Sequence, residues 1–450
     1  MPELLARLFG SPEASAAFGD RARLQGMLDF EAALARAEAR AGVIPGAASE
    51  PIARCCRAEL FDVAALAEAT AKAGNPAIPL VAALTSQVAS VDASAARYVH
   101  WGATSQDAMD TGLVLQLRQF ADVLREDLDR LSAALAGRAE EHKTTLLAGR
   151  TLLQHATPVT LGLKMAGWLD AVERHAARLE EILSRALVLQ LGGAAGTLAA
   201  LGPKGLEVAE ALASDLGLRM PAIPWHAQRD RIAEFATFLG LLTGTLGKVA
   251  RDVSLLMQSE VGEAFEPAGE GRGGSSTMPQ KRNPIGAAVA LGAAARAPGL
   301  VATLLSAMVQ EHERGLGGWH AEWETLPELC VLAAGALRQA VETIEGLEVD
   351  PARMRANLEA TRGRILAEAA SMALAARVGR SQAHEIVERA SRRAVESGKQ
   401  LRDVLAEDPA AMKHLPPKEL AEVFDPRNWL GQSAALVDRV LADRRRRREA

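Results

Sequence analysis

Gly273-Gly274-Ser275-Ser276-Thr277-Met278-Pro279-Gln280-Lys281-Arg282-Asn283-Pro284 lies between two long apolar helical patterns, and its glycines, serines and two prolines are those of a loop. Two glycines ahead of two serines allow left-handed backbone and close approach to a ligand. Successive backbone N–H groups in such a loop can cradle an anion. Lys281 and Arg282 add fixed positive charge, and Asn283 adds a neutral donor and acceptor. Pro284 suits the first turn of a following helix. The stretch reads as an anion-binding loop with a hydroxyl at its centre.

Outward from this loop the chain is helical. Alanine and leucine dominate, aromatics are 4%, and the residues that favour strands are sparse, so the expected class is all-α. A chain of 450 residues exceeds one ordinary domain. A formal net charge of −5 excludes a globally basic surface for nucleic acid. Arg444 to Arg448 is a local exception and reads as a frayed, solvated helix end. Cys55, Cys56 and Cys330 have no paired spacing, which argues against a disulfide framework or zinc site and fits a reducing cytoplasm. The opening Met1-Pro2-Glu3-Leu4-Leu5 does not read as a signal peptide. The apolar run 285–295 ends at Arg296 and Pro298 and reads as too short to span a bilayer, so no membrane partner is expected.

In chain order, 20–41 is a helical pattern ended by Gly42 and Pro45. His100-Trp101-Gly102-Ala103-Thr104-Ser105-Gln106-Asp107 is a polar interruption before a long helix. Thr104 and Ser105 are candidate caps there, and the positive end of that helix would favour a carboxylate. Leu117, Phe120, Leu124, Leu128, Leu131 and Leu135 form one buried stripe at helical spacing. A loop is expected at 147–154, followed by a helix from Pro158 to about Leu191. Gly192-Gly193-Ala194-Ala195-Gly196-Thr197 lacks the Lys-Ser/Thr of a phosphate loop and reads as a helix-breaking turn. The 230–257 segment is apolar almost all round and must be buried on most sides, so Arg251 and Asp252 need partners or mark where the helix emerges. Asp350-Pro351 is a cap followed by a first-turn proline, and a domain boundary is placed near 346. Helices this long and apolar imply an extended bundle that buries surface against other copies of the chain.

Gly274 to Pro284 carries every fixed position of Gly-Ser-Ser-x-Met-Pro-x-Lys-x-Asn-Pro and so resembles the signature of the fumarase/aspartase superfamily. The resemblance implies three helical domains, 1–110, 111–345 and 346–450. It also implies a homotetramer whose central bundle is shared and whose active sites draw stretches from different chains. Members make or break a bond β to a carboxylate by anti addition or elimination. By resemblance Ser275 is the base, and Thr104, Ser105, Thr151, His155, Ser276 and Asn283 bind substrate. A serine hydroxyl is a weak base at neutral pH and needs its oxyanion stabilised. Lys281 is suited to that role and to facing a doubly negative enediolate.

Gly149-Arg150-Thr151-Leu152-Leu153-Gln154-His155 departs from the pattern. Adenylosuccinate and argininosuccinate lyases carry a proton-moving histidine directly after Arg-Thr, where this chain has Leu152. A leaving group that is itself a carboxylate, of pKa near about 4, departs without protonation. Opening or closing a lactone meets that condition, whereas an amine or hydroxide does not. The runs Leu153 to Thr160 and Asn428 to Ala435 resemble those of the bacterial 3-carboxy-cis,cis-muconate cycloisomerase branch, to which the leaving-group reasoning also points, and the resemblance implies 4-carboxymuconolactone as product. Its tricarboxylate substrate needs several cations, for which Lys281 and Arg314 are the candidates, arginine gripping a carboxylate bidentately. An adenylosuccinate-type amine lyase, favoured by His100 to Asp107, and a non-catalytic helical tetramer are the alternatives. His312, Glu313 and His320 fit no zinc spacing. No cofactor is required by the reaction drawn.

Overall fold

In the computed structural model Leu117, Phe120, Leu124, Leu128, Leu131 and Leu135 are each 1% exposed or less. They line one helix, Ser105–Glu141, of 37 residues. The structure describes residues 3–449 except Glu270, Arg272, Ser275, Ser276 and Pro279. The other long helices are Asp20–Arg40, Leu161–Ala186, Asp230–Leu256, Ile285–Ser306 and Gly318–Glu345. Strands among the described residues form two antiparallel pairs, Leu146–Thr151 with Gln154–Thr160 and Ala264–Phe265 with Glu348–Val349. The fold is all-α, as expected.

The chain divides into two compact units, one of residues 1–128, 175–247 and 289–339, the other of 129–174, 248–288 and 340–450. In the first, Asp20–Arg40 crosses Ser105–Glu141 where Gly26 meets Gly112. A Cβ on Gly26 would lie 2.8 Å from the Gly112 carbonyl oxygen, so the crossing needs glycine. Phe30, Phe120, Trp225, Phe235 and Phe238 fill the core. Arg229 is buried with two carboxylates. Its Nη1 and Nη2 donate to Asp110 at 2.7 and 3.0 Å, and its Nε and Nη2 donate to Glu322 at 2.9 and 2.5 Å. Trp319 Nε1 and Gln106 Nε2 also donate to Asp110, each at 3.1 Å. Buried charge is tolerable only when paired and hydrogen-bonded in this way.

In the second unit Ala370, Leu374, Ile386, Leu401, Leu405 and Leu420 form a separate small core. Asp350 caps helix Pro351–Glu359 by accepting from Arg353 N at 2.8 Å, as the Asp-Pro pair predicts. Asp252 has partners, Trp168 Nε1 at 3.3 Å and Lys164 at 3.6 Å, while Arg251 is exposed where the helix emerges.

Three expectations are corrected. Residues 147–154 are not a loop, and Pro158 does not start a helix. Both belong to the hairpin Leu146–Thr151/Gln154–Thr160. Its turn lacks the Asn-Gly signal, and a two-stranded sheet has open edges that tolerate Pro158. The helix instead begins at Leu161, where Thr160 Oγ1 accepts from Leu163 N at 3.1 Å.

The apolar run at 285 does not stop at Arg296 or Pro298 but continues to Ser306. Ile285–Ser306 and Asp230–Leu256 are therefore both long and apolar enough to cross a membrane, with mean hydropathies of 1.6 and 1.2. In Asp230–Leu256 61% of the apolar window is buried, which marks a core helix, against 28% in Ile285–Ser306. Finally, the arginine run lies within helix Ser433–Glu449 and is not frayed, while Arg445 to Arg448 are exposed, as a solvated end requires. Arg444 Nε donates to Ser132 Oγ at 2.7 Å and Arg448 to Asp129 at 2.8 Å.

Candidate active site

In the first unit the candidate residues gather at the N-terminus of Ser105–Glu141. Asp107 organises it. This fully buried carboxylate accepts from Thr104 N at 3.0 Å and Gly193 N at 2.9 Å on Oδ2. On Oδ1 it accepts from Gly192 N at 3.0 Å, Gln190 Nε2 at 3.2 Å and His226 Nε2 at 2.7 Å. The reach back to Thr104 is half of a capping box, so the helix is capped by Asp107 and not by the Thr104 or Ser105 hydroxyl.

Thr104 Oγ1 instead accepts from Arg314 Nη1 at 3.0 Å, while Arg314 Nη2 donates to Ala194 O at 3.0 Å. Arg314 Nε is buried without a partner, and no carboxylate pairs with this guanidinium among the described residues. A guanidinium without an internal carboxylate partner has donors suited to an external anion. Ser105 is half-buried beside it. Behind it, His100 Nδ1 lies 2.6 Å from Glu31 Oε1. Burial works against the imidazolium, but Glu31 and then Asp107 outweigh it and raise the His100 pKa above its ordinary value.

In the second unit the signature loop is closed at its neck. Gly273 has φ 68°, and a Cβ there would meet Asn283 O at 2.6 Å. Asn283 N donates to Gly273 O at 2.8 Å, and Asn283 Nδ2 to Gly274 O at 3.3 Å. Ser275 and Ser276 lie outside the described residues.

The two cations read together in the sequence behave differently. Arg282 is neutralised by Glu348 at 2.9 and 3.0 Å and sits 5.3 Å from the Phe265 ring centre. Lys281 is exposed and has no ion pair among the described residues. The start of the following helix is also occupied from within, since Glu266 accepts from Gly286 N at 2.9 Å and Ala287 N at 2.7 Å. Of the two adjacent loop cations, Lys281 is the one without an ion pair among the described residues.

Thr151 and His155 flank the tip of the hairpin and are exposed. The hairpin is braced by Arg150, whose Nη1 and Nη2 donate to the buried Glu263 at 2.8 Å each. Asn357 Nδ2 also donates to Glu263, at 2.8 Å. Partial burial and then the nearby Arg150 hold the His155 imidazole below its ordinary range.

Sequence reasoning missed Asp107, His226, Glu263 and Glu266 as organisers of these corners. Asp107 alone carried a signal, its place three residues after Thr104 in a polar pre-helix stretch.

A family model described as "Lyase" matches residues 9–299. The chain belongs to that family, the fumarase/aspartase superfamily. A second model, "Adenylosuccinate lyase C-terminus", matches residues 363–440. The chain is 63% identical to the 3-carboxy-cis,cis-muconate cycloisomerase of Pseudomonas aeruginosa, over 98% of this chain and 96% of that one. It is 57% identical to the protein of the same name from Bradyrhizobium diazoefficiens, over 97% of each. The crystal structure of the 3-carboxy-cis,cis-muconate lactonizing enzyme of Pseudomonas putida superposes with a TM-score of 0.94 at 56% identity, covering 99% of both chains.

Proposed function

We propose that the chain is an enzyme that closes 3-carboxy-cis,cis-muconate to 4-carboxymuconolactone. The carrying observation is its 63% identity, over 98% of its length, to a protein named for that reaction. The geometry agrees. Arg314 and Lys281 are cations without carboxylate partners among the described residues, as a tricarboxylate requires. Leu152 stands where an amine lyase would need a proton donor.

In the reaction, an oxygen of one substrate carboxylate bonds to a carbon of the double bond. The π pair moves toward the adjoining carboxylate and makes an enediolate. A proton then arrives on the carbon beside that carboxylate, so atoms and charge balance within one molecule plus the returned proton. Lys281 faces the doubly negative intermediate, where fixed charge contributes most. Ser275 delivers the proton, and Ser276, Asn283, Thr151 and His155 hold substrate. Thr104, Ser105 and Arg314 grip a second carboxylate.

The division into 1–110, 111–345 and 346–450, the homotetramer with shared sites and a cytoplasmic location belong to the same proposal. The uncovered apolar surface of Ile285–Ser306 supports burial against another copy.

The test is an ultraviolet assay with 3-carboxy-cis,cis-muconate beside a parallel cuvette of adenylosuccinate. Ring closure breaks the conjugated diene, so absorbance falls with the muconate alone. Turnover of adenylosuccinate alone would move the chain to the amine lyases and overturn the reading.

A further inference from the structure

We infer that Leu152 and Leu153 form an apolar plug over the bound substrate, one that favours the substrate's own carboxylate over water as the group that adds to the double bond. This rests on the lactonising reading above. The two leucines form the whole turn between the paired residues Thr151 and Gln154, and they have φ 51° and 64°. A two-residue hairpin turn with both φ positive is served by Asn-Gly, and a bulky L residue is strained there. Neither leucine recovers that strain by packing within the chain, since their exposures are 96% and 76%. The tip is not loosely held, because Arg150 at its base is clamped by the buried Glu263. Two large apolar side chains are therefore presented on a braced hairpin, in a conformation that suits them badly, between the proposed substrate residues Thr151 and His155. Strain retained where the fold has a better alternative points to function.

The chemistry supplies the reason. Water adding to the same double bond would give an acyclic hydroxy acid. A carboxylate that sheds its hydration against an apolar surface is the better nucleophile, and the competing water is displaced with it. In the shared site proposed above, the plug of one copy covers a substrate held by another. A histidine at position 152 would bring a polar, hydrated group to the same place.

The test compares the parent with L152N/L153G, which supplies the preferred turn, and with L152M/L153M, which keeps apolar bulk. Melting temperature, kcat, KM and the ratio of lactone to hydroxy acid from 3-carboxy-cis,cis-muconate are measured for each. The Asn-Gly variant is expected to melt at or above the parent temperature yet lose about tenfold or more in kcat, as removal of apolar pocket contacts does, with hydroxy acid appearing. The double methionine variant is expected to stay within about threefold of the parent, as volume-conserving swaps do. An Asn-Gly variant as active as the parent, or one that melts lower, would overturn the inference while leaving the function intact. Equal losses in both variants would do the same. A parent that does not lactonise would overturn the function reading, and this inference with it.

Discussion

Asp107→Asn is the most informative single substitution, because it exchanges one oxygen of a buried, fully committed carboxylate for an NH2 group. The carboxylate accepts five hydrogen bonds, two on Oδ2 and three on Oδ1. An asparagine keeps the shape but replaces one acceptor with an NH2 donor. If the NH2 takes the Oδ2 place, it confronts Thr104 N and Gly193 N. If it takes the Oδ1 place, it confronts Gly192 N, Gln190 Nε2 and His226 Nε2. The better orientation still strands two donors, the buried Gly193 N and the partly buried Thr104 N. At about 1–3 kcal/mol for each unsatisfied group, the loss is about 2–6 kcal/mol. Urea unfolding followed by circular dichroism reads the stability, and steady-state kinetics read the site. KM is expected to rise, because Thr104 and the Gly192–Ala194 segment together position Arg314. Stability within about 0.5 kcal/mol of the parent, the range of an indifferent surface change, would refute the role assigned to Asp107.

Three further outcomes are expected. Lys281→Ala should lower kcat by at least about 100-fold, the scale of removing one preorganised charge stabiliser, without changing the mass in solution; an active variant would remove the enediolate role. Leu152→His should not speed lactonisation, since a carboxylate leaving group needs no acid; a large gain would show that a proton donor had been missing. Glu38 is buried with both oxygens unpaired among the described residues, and burial, then Glu31, pushes its pKa up to about 9 from 4.5. The folded value lies above the unfolded one, so the folded state binds the extra proton between them. Stability should therefore fall as pH rises through that window, by about 1.4 kcal/mol per pH unit. Glu38→Gln should abolish this slope in melting temperature, and parallel profiles for the two proteins would contradict it.

The all-α class and the long helices were legible because the period of the stripe from Leu117 to Leu135 survives in the sequence without tertiary information. The signature loop was legible for the same reason, its residues being contiguous. What was illegible depended on distant partners. Lys281 and Arg282 look alike in sequence, and only Glu348, 66 positions away, separates the neutralised cation from the available one. Asp107 looked like one residue of a polar stretch because its partners lie in 190–193 and at His226. The hairpin at Leu146–Thr160 was hidden by a turn that breaks the usual turn chemistry, and the same oddity motivates the role inferred for Leu152 and Leu153. The position of Leu152 after Arg-Thr, by contrast, could be interpreted chemically before any fold was known.

The most direct test of the central claim is proton NMR of the product formed from 3-carboxy-cis,cis-muconate in D2O by the purified protein. The expected product is 4-carboxymuconolactone carrying one deuterium on the carbon next to a carboxylate, where the enediolate is protonated. Recovery of the unchanged diene, or formation of an acyclic acid in place of the lactone, would contradict it.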